Sequence, residues 1–350
     1  MSNGAHRKHG LLLAGAALFA AAVVADALIA SRDAAAGWLI GFVFWSEVTV
    51  GSLLLMMIHR LTGGRWGLAL LPAIEPLAAT IPLLFLLIIP VFIAIRLLYP
   101  WASGLPVIKP DVLAAYLNVP WFIGRALIAL AGWSVLALLL PRLAGPRGVL
   151  LAAVGLAFHC VVIGPIGFDW ILSIEPPFAS SSFGASLAIT QLIAALAVAL
   201  VLAPATRGDP AIGDLGGLLL AFTLGITYVD FMAVLVIWYG DLPRSTAWFV
   251  ARNSPPWTAL AWATFLLVSL LPFGTLIVSR VRTSRAALRI VAAGVLIGLF
   301  CYDAWLVAPP FGAGALLPAL LATSAIGLLL AAATTWPLRL TSARSPAYGD

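Results

Sequence analysis

The chain has 350 residues, of which 63% are hydrophobic and 9% charged, with a net charge of +6 and a mean hydropathy of +1.11. A water-soluble domain needs more polar surface than this composition supplies, so an ordinary soluble fold is excluded and an all-α polytopic membrane protein is expected. The excess of basic residues is explained by loops on one membrane face and requires no nucleic-acid partner.

Apolar stretches of about 20 residues match a hydrocarbon core about 30 Å thick, and about ten such spans are predicted. The first, 10 to 30, follows Arg7 and Lys8 like a secretory signal. Its apolar stretch is too long for a signal core and carries Asp26, so it reads as an uncleaved span. The second, 36 to 60, contains Glu47 and His59, and the third, 74 to 98, contains Glu75, Pro82 and Pro90. The fourth, 119 to 141, carries Arg125 one turn inside its start, and the fifth, 148 to 168, holds His159 and ends at Asp169. The sixth is 181 to 203; the seventh, 214 to 238, contains Asp230; the eighth, 257 to 279, contains Pro272. The ninth, 286 to 307, contains Asp303, and the tenth is 313 to 336. The chain therefore divides into an N-terminal tail (1–9), a transmembrane domain (10–336) and a C-terminal tail (337–350). Proline inside a span removes a backbone hydrogen bond and kinks the helix.

With the N-terminus placed in the cytoplasm, 13 Lys and Arg residues gather on that side, among them Arg7, Lys8, Arg60, Arg65, Arg207, Arg339 and Arg344. The opposite side keeps six, among them Lys109, Arg125 and Arg252. That asymmetry follows the positive-inside rule and places both termini in the cytoplasm. Three outer connections, 99–120, 169–180 and 239–256, are rich in proline and aromatics, which suits an interfacial belt and also a docking platform for a soluble partner. Cys160 and Cys301 fall within spans and imply no oxidising compartment.

The fifth span ends Phe168-Asp169-Trp170 and the ninth contains Tyr302-Asp303-Ala304-Trp305. An offset of four spans preserves direction through the membrane. The echo therefore predicts two four-helix bundles, spans two to five and six to nine, with spans one and ten flanking them.

Ionisable groups inside a bilayer are costly unless they line a cavity or meet a partner. Glu47, His59, Glu75, His159, Asp169, Asp230 and Asp303 are the candidate proton-relay residues, because burial moves carboxylates and imidazoles toward neutrality. His59 and Glu75 are placed near the cytoplasmic face, Glu47, His159 and Asp230 at middle depth, and Asp169 and Asp303 near the outer face. Glu47 and His59 are 12 residues apart. That is about 18 Å along a helix and about 120° around it, so a relay must hop between helices. Each has a structural alternative: a neutral histidine satisfying a core hydrogen bond, or an aspartate at a helix end bonded to backbone. Arg125 is either the counter-ion of an outer carboxylate or a side chain that snorkels to the interface.

No motif for covalent haem or an iron–sulfur cluster is present. His59 and His159, the two histidines within spans, are expected to differ in depth by about 15 Å, too much for one haem iron. The chain is expected to bind no redox cofactor of its own.

Several strings, in order, resemble the F-type membrane subunit of alternative complex III, within the wider polysulfide reductase membrane-subunit (NrfD-like) superfamily. They are Phe44-Trp45 with Gly51-Ser52-Leu53; His59-Arg60-Leu61-Thr62-Gly63-Gly64-Arg65-Trp66-Gly67; Glu75 with Thr80 and Pro82; and Leu98-Tyr99-Pro100-Trp101. Further on come Ala115-Tyr116-Leu117-Asn118-Val119-Pro120-Trp121-Phe122 with Arg125; Asp169-Trp170 with Ser173, Glu175 and Pro176; Ile237-Trp238 with Trp248; and Asp303 with Trp305. The resemblance runs from about span two to the end of span nine. It implies a subunit of a quinol-oxidising complex that passes electrons to a periplasmic acceptor, with haem and iron–sulfur groups on partner subunits and a proton-conducting route in this one. Glu75, Asp303 and His59 match family positions. Ala79, Pro177-Phe178 and Met232-Ala233 depart from the pattern, and Glu47, His159 and Asp230 are this chain's own. The implied location is a bacterial inner membrane.

Two other classes fit the composition. A secondary transporter or channel would use Glu47 and Asp230 as coupling-ion sites. A membrane glycosyltransferase would need more oxygen ligands than Asp33 alone supplies.

Overall fold

A computed structural model describes residues 3–104, 110–202 and 211–335, with side chains from residue 8 onward. The expectations resting on the Arg7 side chain, Lys109, Arg207, Arg339, Arg344 and the tail 337–350 lie outside the described residues. Among the described residues, ten helices are long and apolar enough to cross a membrane. They are α1 (Lys8–Ala27), α2 (Ser31–Thr62), α3 (Arg65–Ile93), α4 (Val119–Arg142), α5 (Gly145–Ile174), α6 (Phe183–Leu202), α7 (Ile212–Tyr239), α8 (Trp257–Leu276), α9 (Arg285–Val307) and α10 (Ala313–Thr335). The protein is an all-α polytopic membrane protein. Helices dominate because lipid offers no hydrogen bonds to the backbone, so each span must satisfy its own.

Nine of the ten starts lie within five residues of the predicted limits; α3 begins at Arg65, well before the predicted 74. Its first part, Arg65–Ala78, stays helical despite Pro72 and Pro76. Beyond it the chain passes through a 3-10 turn at Ile81–Leu83 and short helices at Leu84–Leu87, Ile89–Ile93 and Ile95–Leu98. Pro82 and Pro90 sit at the first turns of two of these pieces, where a missing N–H costs nothing. In α8, Phe265–Leu270 widens to a π-helix immediately before Pro272. The proline ring would otherwise collide with the carbonyl four residues back, and the extra residue in the turn absorbs that conflict.

The helices assemble as two bundles, α2–α5 and α6–α9, with α1 and α10 packed against each other and against α2. Helix α2 is the hub, 94% buried over its most apolar window, whereas α7 and α8 are 17% buried and lie at the periphery. The bundles join where α2 meets α6 and α9, and α5 meets α6. Close approach depends on small residues. A Cβ on Gly51 would run into the backbone carbonyl of Gln191 in α6, and one on Gly37 or Gly41 would strike the α10 backbone at Pro318–Thr323. Trp45 Nε1 then donates to the Thr323 carbonyl at 2.7 Å, tying α2 to α10.

Candidate functional site

The α2–α6 contact at Gly51 brings the one-turn-distant Glu47 against α6. The Thr190 hydroxyl lies 3.0 Å from Glu47 Oε1 and 2.9 Å from the Leu187 carbonyl. It has one proton for two acceptors, so Glu47 is held by a single shared hydrogen bond. One turn along α6, Ser186 Oγ donates to Asp230 Oδ1 of α7 at 2.6 Å, and Tyr302 Oη of α9 reaches the same oxygen at 3.5 Å. Asp303, the next residue on α9, is fully enclosed and feels the charge of Glu47 across the α2–α9 contact, where Phe44 and Phe300 pair edge to face at 6.4 Å. Glu47 and Asp303 are each 1% exposed.

Four helices thus supply a polar seam between the two bundles: three carboxylates, with Ser186 and Thr190 on consecutive turns of α6 between Asp230 and Glu47. Glu47 Oε2, both carboxylate oxygens of Asp303 and Gln191 Oε1 are buried with no hydrogen-bond partner among the described residues. Unpaired carboxylates in a bilayer interior are expensive and mark function by default.

The sequence placed Asp230 at middle depth. The structure puts it in the same layer as Tyr302 and Ser186, one turn from the α6 end at Phe183 and nine residues before the α7 end at Tyr239. Ser186, Thr190 and Tyr302 were not among the candidates. The signal was present as a serine and a threonine four residues apart on one face of a helix whose one other polar residue is Gln191.

The remaining candidates lie elsewhere. Asp169 receives Arg125 through two hydrogen bonds, Nε to Oδ2 at 2.6 Å and Nη2 to Oδ1 at 2.9 Å. Arg125 also donates to the Tyr116 carbonyl at 3.1 Å, and its guanidinium lies 3.8 Å over the Tyr116 ring. Arg125 is therefore a counter-ion that fastens α4 to α5. His159 packs on Trp133 at 5.9 Å, and neither ring nitrogen has a hydrogen bond among the described residues, so the core hydrogen bond allowed for by sequence is not seen. His59 sits at the opposite end of α2, its ring against Gly67 and 5.3 Å from Trp66, with Nδ1 3.2 Å from the Gly63 carbonyl. Glu75 of α3 senses Arg60 beside it, and Arg60 donates to the Leu140 carbonyl at 3.1 Å. Met57 lies against Gly155, which puts His59 two residues on one side of that level and His159 four residues on the other. The depth difference is about 9 Å by helical rise, less than the expected 15 Å, because the antiparallel helices register at Met57 and Gly155. The rings face different neighbours and share no site.

A second ion pair was missed. Arg252, 2% exposed in the connection before α8, pairs with Glu175, lies 3.5 Å over the Trp248 ring and donates to the Trp305 and Leu306 carbonyls. Burial lowers its affinity for the proton, and the Glu175 carboxylate offsets only part of that loss. Its sequence signal, one of three charges in the proline-bearing connection 239–256, reads equally well as a solvated loop residue. Among the described residues no group of three or more His, Cys, Asp or Glu side chains is arranged to hold a metal ion. No protein-family model matches the chain, and no curated protein is significantly similar to it.

Proposed function

We propose that this chain is an integral membrane subunit, without a redox cofactor of its own, of an alternative complex III-like quinol oxidoreductase in a bacterial inner membrane. It anchors periplasmic subunits that carry haem and iron–sulfur groups, and it moves protons along the seam between its bundles. Support for the complex comes from the ordered strings between Phe44 and Trp305 that resemble the F-type subunit. The observation that carries the proton role is the line of Asp230, Ser186, Thr190 and Glu47, the last three buried, with Tyr302 and Asp303 beside it. Hydroxyls both accept and donate, so Ser186 and Thr190 can hand a proton between carboxylates that do not touch.

From Glu47 the route toward His59 and Glu75 crosses about 18 Å of α2. His159 stands partway in depth, against Trp133. The test is the number of protons released per quinol oxidised by the complex recovered on a tag carried by this chain. Glu47→Gln and Asp230→Asn are each expected to lower that number while quinol oxidation continues. An unchanged stoichiometry in both variants contradicts a relay through the seam.

A further inference from the structure

Above the bridge from Thr227 Oγ1 to Ser269 Oγ, 2.8 Å long, helices α7 and α8 separate. Helix α7 packs on the π segment and on Leu271–Leu276, with little or no contact to Trp257–Thr264. The opening between them is a cavity of about 440 Å³, and it continues toward Arg252 and Asn253 as a second, wider recess. Its outer walls are Phe231 and Val234 of α7 and Phe265 of α8, with exposures of 61%, 46% and 44%, so it opens sideways to lipid rather than to water. Its inner end is Asp230, Ser186 and Tyr302. Asp230 Oδ1 takes both hydroxyls, and no hydrogen bond to Oδ2 is formed among the described residues.

We propose that this lateral cleft binds a membrane-dissolved molecule with an uncharged, hydroxyl-bearing head and an apolar tail, the head reaching Asp230 and Ser186 and the tail leaving between α7 and α8. An anionic head is disfavoured by the Asp230 carboxylate. The Trp248 ring offers a cationic head no free face, being covered by Phe178, stacked at 4.2 Å, and by the Arg252 guanidinium. Any charged head would also have to enter through the apolar wall. The volume falls within the range of small-molecule sites, about 300–1,000 Å³, and the apolar lining with few convergent polar groups matches their usual make-up. The π segment in α8, which shapes one wall, is a feature frequent at such sites. The inference does not depend on the quinol-complex reading, because the isolated chain should bind the ligand whether or not it belongs to a complex.

Two sources share this chemistry, a hydroxylated ring and a glyceride hydroxyl, and two probes separate them. Purified full-length chain in saturated phosphatidylcholine nanodiscs is titrated with decylubiquinol and, separately, with 1,2-dioctanoylglycerol, with binding followed by equilibrium partition. One saturable equivalent of either probe is expected, the ring source being assigned if decylubiquinol competes out the glyceride and the lipid source if the reverse holds. Ser186→Ala and Asp230→Asn should each weaken binding by about tenfold or more. Ala261→Trp, which fills the cleft from α8 without touching its polar end, should abolish it while the chain stays monodisperse with an unchanged melting temperature. Absence of saturable binding by both probes, or binding indifferent to a well-folded Ala261→Trp variant, overturns the proposal.

Discussion

Asp169 and Arg125 show how one buried charge is made tolerable. Both carboxylate oxygens are engaged by the guanidinium, which also caps the Tyr116 carbonyl, so removing either partner leaves an uncompensated charge in apolar surroundings. Arg125→Met or Asp169→Leu alone is expected to cost about 3–5 kcal/mol, while the double variant is expected to cost less than either. Thermal unfolding of the purified chain in detergent checks the order. If the double variant is the least stable of the three, the pair contributes net stability beyond mutual compensation.

The tyrosines of the connection after α3 give a pH test. Burial, with the nearby Asp169 charge, lifts the Tyr99 phenol well above its ordinary value of 10.0, and burial lifts Tyr116 as well. The neutral phenol is favoured only in the folded state, so this stabilisation is complete below the ordinary value and is lost as pH climbs beyond it. Unfolding midpoints are expected to fall above about pH 10, and the fall should be shallower in Tyr99→Phe. An equal fall in that variant would remove Tyr99 as the source.

At the scale of elements, the α2–α6 contact decides whether the seam exists. Gly51 lets α6 approach until Thr190 reaches Glu47, and a side chain there meets the Gln191 backbone rather than a flexible tip. Gly51→Leu is expected to cost about 1–3 kcal/mol as an overpacked contact and to lower proton stoichiometry as Glu47→Gln does. Stability and stoichiometry measured on one preparation check both effects, and native values of each would show that α6 can shift freely.

The spans themselves were legible because a run of apolar residues is dictated by bilayer thickness alone. The start of α3 was not, since Pro72 and Pro76 interrupt the pattern that marks a helix. The buried carboxylates stood out for the same reason as the spans, by contrast with their surroundings. Their grouping did not, because it depends on helix register: which turn of α6 faces Glu47 and which faces Asp230 is fixed by Gly51 and by the layer of Tyr302. Arg252 escaped notice because its burial depends on long-range contacts with Glu175 and Trp305.

On the scale of the whole molecule, the four-span echo has a structural counterpart with a difference. Asp169 and Asp303 each stand in a corresponding bundle beside a tryptophan, Trp170 or Trp305, yet Asp169 is neutralised by Arg125 and Asp303 has no hydrogen-bond partner among the described residues. The first bundle has locked its carboxylate into structure, and the second has left its own facing Glu47 and the seam. In the proposed function, proton handling is assigned to the bundle junction, where Asp303 and Glu47 keep unpaired oxygens.

The central claim, that this bundle works as a cofactor-free part of a larger electron-transfer assembly, is tested most directly by recovering the tagged chain from native membranes in mild detergent and recording optical and electron paramagnetic resonance spectra before and after its partners are stripped. The account predicts haem and iron–sulfur signals in the intact preparation that leave with the partners. Recovery of the chain alone, or a redox signal that stays with it after stripping, would contradict the account.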